Sequence, residues 1–261
     1  MELNLKGKVA LVIASSQGLG KAIAIQLAKE GAHIMLTSRN EDKLRTVKEK
    51  IAGIGEGLVS YCPCDITKPE EIQRLIKQTN DDLGKVDILI NNAGGPPGGT
   101  FDKFNDEDWQ KAFELNLLSY VRIIRAALPD LKKEGGRIIN IASSSIKAPI
   151  PGLILSNTFR TGIVGLAKSL AEELAPHNIL INTVAPGRIA TDRTAYLDQT
   201  KADNQGLSLE QVEEASKKMI PLGRYGSPEE FAKVVTFLAS DASSFVTGIS
   251  LLVDGGMVKA I

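Results

Sequence analysis

The sequence predicts an α/β fold built on one twisted parallel sheet, and three observations predict it. Short apolar runs of strand length alternate with amphipathic stretches long enough to be crossover helices; the alternation yields seven candidate strands; no linker, internal repeat or low-complexity segment interrupts it. A strand buried on both faces needs an unbroken apolar run, and parallel strands need a crossover of a dozen or more residues between them. The runs are residues 9–13, 33–37, 57–61, 86–90, 137–141, 179–184 and 249–253. Between them apolar residues recur at helical spacing, as in Ala22, Ile23, Ile25, Leu27 and Ala28, or Ile72, Leu75 and Ile76. Right-handed crossovers then wind helices onto both faces and open a ligand crevice at the strand carboxyl ends.

With 261 residues and 43% hydrophobic composition, the chain reads as a single domain over residues 1–261. Thirty-one basic residues balance 31 acidic ones, which argues against electrostatic capture of nucleic acid or an anionic membrane. Small molecules or other protein chains are the expected partners. Cys62 and Cys64 are too few for a disulfide framework or a four-ligand zinc site and read as free thiols, so no metal site is expected. A short polar start and the lack of an 18-residue apolar run predict a cytoplasmic protein without a membrane span.

Residues 186–226 break the rhythm: they carry Tyr196, a polar turn at Asp203, Asn204, Gln205 and Gly206, and a short helix capped at Ser208. So long a segment in a compact domain reads as a functional lid rather than a passive loop. His33 and His177 fall where a helix gives way to a strand, opposite the crevice, and carry no expected chemistry. Trp109, after the acidic helix start at Asn105 to Asp108, reads as packing.

The first chemical signal follows the first strand directly. Residues 14–20 read Ala-Ser-Ser-Gln-Gly-Leu-Gly and open into a helix at Lys21. Glycines let backbone approach a pyrophosphate, and a helix amino end offers it free N–H groups and a positive dipole end. An ordinary βα turn with a glycine for tight packing is the competing reading of this segment alone. Its position, strand then turn then helix, makes the fold a Rossmann-type doubly wound sheet.

Further segments extend the pattern. Asp65 follows the third strand, Asn91-Asn92-Ala93-Gly94 ends the fourth, Pro186-Gly187-Arg188-Ile189-Ala190-Thr191 follows the sixth, and Val253-Asp254-Gly255-Gly256 closes the chain. In this order and spacing the sequence resembles the short-chain dehydrogenase/reductase family, of the 3-oxoacyl-acyl carrier protein reductase type, over residues 5–257. The family's turn has a leading glycine where this chain has Ala14. The resemblance implies a cofactor site of Ser15, Ser16, Gln17, Gly18, Leu19 and Gly20 at the pyrophosphate, Asp65 and Ile66 at the adenine, and Asn92, Ala93 and Gly94 at its ribose. It also implies that the Pro186-Gly187 turn belongs to the cofactor site and that Ile189 and Thr191 lie near the nicotinamide amide.

The second strand ends in Ser38 and Arg39, where an acidic residue would hydrogen-bond a ribose 2′-hydroxyl and repel a 2′-phosphate. Serine followed by arginine suits the phosphate, so NADP(H) is favoured over NAD(H). A solvated Arg39, or one stacked on the adenine of NAD, are the competing readings.

Members of the family reduce carbonyls or oxidise alcohols with a serine, a tyrosine acid/base, a lysine that lowers the tyrosine pKa, and an asparagine that supports a relay water. By resemblance Asn116 is the asparagine and Ser143 the serine. At the tyrosine and lysine positions stand Ser156 and Arg160, with the register fixed by the flanking residues 165–170. Spacing of four keeps this pair on one helix face. Serine is shorter and far less acidic than a phenol, while an arginine keeps its charge and cannot relay a proton by losing its own. Arg160 can still hold a ribose and pull on a developing oxyanion.

Of the remaining tyrosines, Tyr196 is the one placed to substitute for the missing phenol, against the commoner reading of an exposed or interface aromatic on a lid; Tyr61, Tyr120 and Tyr225 read as packing or interface residues. Residues 94–99 read as a hinge or a plain turn, and 149–154 as an apolar pocket wall or ordinary packing. The expectation is an NADP(H)-dependent oxidoreductase of a carbonyl or secondary alcohol. The alternative is an NADP(H)-binding sensor or structural subunit with little turnover. A homotetramer or homodimer is implied by the resemblance.

Overall fold

The computed structural model describes residues 2–260. Seven parallel strands form one sheet: β1 (Val9–Ile13), β2 (His33–Ser38), β3 (Val59–Pro63), β4 (Ile88–Asn91), β5 (Gly136–Ile141), β6 (Ile179–Pro186) and β7 (Ser250–Val253). Their order is β3-β2-β1-β4-β5-β6-β7, the doubly wound Rossmann-type arrangement the sequence predicts. The order reverses between β1 and β4, which opens a crevice at their carboxyl ends.

Alternate residues of β1 serve opposite faces. Ala10 and Val12 join one core with helices α1 (Gly18–Lys29), α2 (Glu41–Ile51) and α9 (Pro228–Leu238). Leu11 and Ile13 join the other with α3 (Pro69–Asp82), α5 (Ser119–Glu134) and α6 (Ile154–Leu174). Between α4 (Asp106–Phe113) and α5 the chain passes through a π-helical turn, Glu114–Leu118. Trp109 on α4 packs edge-on against Phe101 and Phe159, at centroid distances of 6.2 and 5.8 Å. His33 at the start of β2 accepts the Leu58 N–H at 2.7 Å.

Two strands start two residues later than their apolar runs suggest. Pairing of β3 begins after Gly57, where a Cβ would stand 2.0 Å from the Ala32 carbonyl oxygen. Pairing of β4 begins after Asp87, whose carboxylate takes the Val9 N–H at 2.9 Å.

The larger difference lies in residues 186–226. Two helices occupy most of the segment, α7 (Asp192–Gln205) and α8 (Leu209–Lys218), and Asp203, Asn204 and Gln205 form the last turn of α7 rather than a polar turn. Gly206 ends that helix with φ +64°. The sequence conceals α7 because its buried residues are Asp198 and Ala202, with no apolar stripe at helical spacing. Ser208 caps α8 as expected, in a reciprocal capping box with Gln211. Asp198 is the anchor of α7: Arg188 donates to its Oδ1, and Tyr225 Oη donates to Oδ2 at 2.7 Å.

Candidate active site

A cavity of about 1630 Å³ runs along the carboxyl ends of β1 to β6. At one end, α1 begins without a side-chain cap and without an acid in its first turn. Its leading N–H groups therefore face the cavity unclaimed. Gly18 and Leu19 line that wall, and Gly18 takes φ +55°. Gly20 does not line the cavity but permits it: a Cβ there would stand 2.3 Å from the Ala14 carbonyl oxygen, so only glycine lets α1 start this close to β1. Ala14 adopts φ +53°, a left-handed conformation that L side chains disfavour.

Ser16 and Gln17 line the same wall, whereas Ser15 is fully buried and accepts the Thr37 N–H at 2.9 Å, fixing the turn to β2. Ser38 and Arg39 follow along the cavity. Among the described residues Arg39 makes no ion pair within 4.0 Å, in contrast to Arg45 or Arg74. Lys43, one turn into α2, also lines the cavity and donates to Gln17 Oε1 at 2.7 Å. Sequence reading missed Lys43; the signal was the Asn40 cap, which places the third helical residue over the crevice.

Asp65 and Ile66 border the cavity beyond Arg39. Burial opposes ionisation of Asp65, yet the Thr67 N–H and hydroxyl, with the charges of Arg39 and Lys68, hold its carboxyl below the usual range. Cys64 lies there too; burial pushes its thiol up to about 12, with the neighbouring Cys62 adding to the rise, so it stays an un-ionised thiol. Among the described residues no cluster of His, Cys, Asp and Glu could hold a metal. Asn92, Ala93 and Gly94 form the middle of the floor, and Pro186, Gly187, Ile189 and Thr191 the far wall.

The other end gathers Ser143, Ser156 and Arg160. Ser143 follows β5 and its hydroxyl accepts the Ser145 N–H at 3.2 Å. Ser156 and Arg160 sit on the buried face of α6, 8% and 4% exposed. The Arg160 guanidinium donates to Tyr120 Oη (2.8 Å), the Ile141 carbonyl (2.8 Å) and the Ala93 carbonyl (2.9 Å). It therefore ties the ends of β4 and β5 to α5. Tyr120, expected as packing, also donates to the Ile141 carbonyl at 2.8 Å. Burial pushes its phenol up, and the Arg160 charge only opposes that rise, so the group is a neutral donor.

Asn116 is not on the cavity wall. It lies fully buried in the π-helical turn, and both polar atoms of its carboxamide lack a protein partner among the described residues. Tyr196 is 61% exposed on α7, outside the cavity lining, and stacks under Arg193 with 5.6 Å between the guanidinium carbon and the ring centroid. The cavity residues from α7 are Asp192, Arg193, Thr194 and Leu197, none of which the sequence pattern marks.

The chain matches a family model described as Enoyl-(Acyl carrier protein) reductase over residues 13–258. It is 36% identical over 258 residues to a 3-oxoacyl-(acyl-carrier-protein) reductase of Aquifex aeolicus, covering 98% of this chain and 100% of the relative. It is 35% identical over 256 residues to the NADPH-dependent reductase BacG of Bacillus subtilis, covering 97% and 99%. The crystal structure of L-sorbose reductase from Gluconobacter frateurii, complexed with NADPH and L-sorbose, superposes with a TM-score of 0.95 at 32% identity over 100% of both chains. Matches of this extent and identity, over the same seven-stranded sheet, place the chain in the short-chain dehydrogenase/reductase family.

Proposed function

We propose that the protein is an NADPH-dependent reductase of a small carbonyl compound, also able to run the alcohol oxidation in reverse, in which no phenol serves as proton donor. The observation that carries this reading is the convergence of Ser143, Ser156 and Arg160 on the cavity that the open α1 terminus and the unpaired Arg39 also line. The residues fit the cofactor. Gly18 and Leu19 at the α1 terminus suit a pyrophosphate, and Ser38, Arg39 and Lys43 suit a 2′-phosphate. NADPH-dependence in the Bacillus relative, and NADPH in the sorbose reductase complex, support the same choice.

Bound there, the cofactor supplies hydride to the carbonyl carbon. Ser143 holds the carbonyl oxygen by a hydrogen bond, and the positive field of Arg160 favours the charge that develops on it. Ser156 is too short to bring an acidic group to that oxygen, and its place leaves room for a water that delivers the proton. Asn116, with two orphaned buried atoms, supports an ordered water behind α6. Loss of a positioned general acid lowers the rate by about 10²–10⁴ while leaving orientation and electrostatics in place. Residues 186–226 act as a lid over the substrate, and the assembly that the resemblance implies is a cytoplasmic homo-oligomer.

The alternative, an NADPH-binding protein without turnover, is favoured by one observation: three Arg160 hydrogen bonds go to the protein itself. NADPH oxidation over a panel of ketones, oxo acids and 3-oxoacyl thioesters separates the two. Slow turnover that falls at least tenfold in Ser143→Ala, and rises about 10²-fold in Ser156→Tyr/Arg160→Lys, supports the reductase. Tight NADPH binding with no substrate-dependent oxidation by the wild type overturns it.

A further inference from the structure

Arg193 enters the cavity from the first turn of α7 and reaches across to the loop after β4, where its Nη2 donates to the Pro96 carbonyl at 2.7 Å. Gly95 makes room for it: a Cβ at that position would stand 3.2 Å from Nη2. Among the described residues no carboxylate lies within 4.0 Å of this guanidinium, although the same segment pairs Arg188 with Asp198 and Arg224 with Glu230. Asp192, its chain neighbour, is exposed, and the remaining close partner is the Tyr196 ring. Burial pushes Arg193 below the usual arginine value; the Tyr196 hydroxyl opposes this and the Arg160 charge adds to it. Two guanidinium groups thus share the substrate end of the cavity, and among the described residues neither has a carboxylate within 4.0 Å: of the acids on the same wall, Glu114 is paired with Arg122 and Asp192 is exposed. An uncompensated cation in a half-buried site is costly, and an anion that reaches it regains that energy through charge-assisted hydrogen bonds.

We infer that Arg193 is the carboxylate-binding residue of the substrate site, so that the substrate is an oxo acid: a carbonyl held at Ser143 and Arg160, a carboxylate at Arg193, and an apolar body between. Leu197, one turn along α7 from Arg193, together with Pro149, Ile150 and Leu153, gives that body an apolar wall. The inference rests on the reductase reading for the carbonyl and on Arg193 alone for the carboxylate. It sets this chain apart from a reductase of neutral sugars, whose ligand carries no charge for such a residue to meet.

The test separates the two readings by using probes that cannot be reduced. Octanoate and octanamide are titrated calorimetrically into the NADPH-loaded protein, beside turnover of 3-oxooctanoate and its methyl ester. A bidentate arginine–carboxylate pair predicts that octanoate binds about 10- to 100-fold more tightly than octanamide. Arg193→Gln brings that ratio to within about twofold, and Arg193→Lys, which keeps the charge and loses the fork, retains part of it. Equal binding of the two probes by the wild type overturns the inference. So does a ratio unchanged in Arg193→Gln, including the case where that variant instead weakens NADPH at least tenfold and so assigns Arg193 to the pyrophosphate. Selective binding of octanoate without any turnover leaves the carboxylate site standing and removes the reductase reading; turnover of acid and ester at equal kcat/KM does the reverse.

Discussion

The two ends of the crevice handle their charge in opposite ways. At the α1 end the amide donors of the helix start and the Arg39 guanidinium face the cavity unclaimed, and the turn is held by backbone and by Ser15, which lies behind it. At the α6 end Arg160 is committed to two backbone carbonyls and a phenol, and it braces the strands that carry the floor. The first end is organised by backbone and gains its electrostatic energy when a polyanion arrives. At the second, Arg160 is already engaged in holding the strands together, and Arg193 is the cation left for an incoming anion. A cation in the first end therefore affects ligand binding without affecting folding, and a cation in the second affects both.

Arg160→Met tests this contrast most severely. The side chain is apolar and of similar length, but the Ala93 carbonyl and one acceptor site of Tyr120 lose their buried donor. Breaking such a network costs about 3–5 kcal/mol, or roughly 10 °C in Tm for a chain of this size. Thermal unfolding checks it, and a drop of only one or two degrees would show that Arg160 is held for chemistry alone.

Arg39→Asp is the matching experiment at the other end. It should weaken NADPH about 10- to 100-fold, leave NADH binding equal or improved, and move Tm by no more than a degree or two. Fluorescence titration with both cofactors gives the answer. A large Tm change would mean that Arg39 has a structural partner and that the contrast between the ends is false.

The same contrast explains what was legible in the sequence. The α1 end is written in contiguous residues: strand, turn and helix start fall within residues 9–29, so spacing alone reveals it, and Arg39 follows directly from the end of β2. The α6 end is assembled across long separations. Arg160 meets Tyr120 across 40 residues and Ala93 across 67, and Arg193 meets Pro96 across 97. No local pattern encodes such contacts, so Tyr120 reads as packing and Arg193 carries no signal in the sequence. Helix α7 escapes for a related reason, since its buried anchor is a carboxylate rather than an apolar stripe.

That anchor supplies a smaller, local test. Asp198→Asn keeps the shape of the side chain and removes the charge that Arg188 and Tyr225 address. Loss of charge assistance at a buried site costs about 1–2 kcal/mol. Because α7 packs mainly on α8 and the cavity mouth, the loss should appear as faster proteolysis within residues 192–205 and a raised KM, with the sheet core unchanged. Hydrogen exchange resolves the two regions; uniform loss of protection across the sheet would show that the helix is part of the global folding unit.

The smallest effect expected is at Ala14, and its sign is the informative part. A left-handed alanine costs about 1–2 kcal/mol relative to its ordinary conformation, whereas glycine takes φ +53° without strain. Glycine also has more freedom to lose from the unfolded chain, which takes back about 0.4–1 kcal/mol. Ala14→Gly should therefore stabilise the protein by up to about 1 kcal/mol, a rise of about 2–4 °C. The position that cannot bear a Cβ is Gly20, six residues later, which already holds the helix start against the Ala14 carbonyl. NADPH affinity should accordingly change little, because relieving Ala14 alters the energy of the turn and not its path. If Tm falls instead, the turn is held by the alanine side chain and not in spite of it; if Tm rises and NADPH also tightens tenfold, the strained methyl stands in the way of the cofactor, and the α1 end is less finished for binding than its open amides suggest.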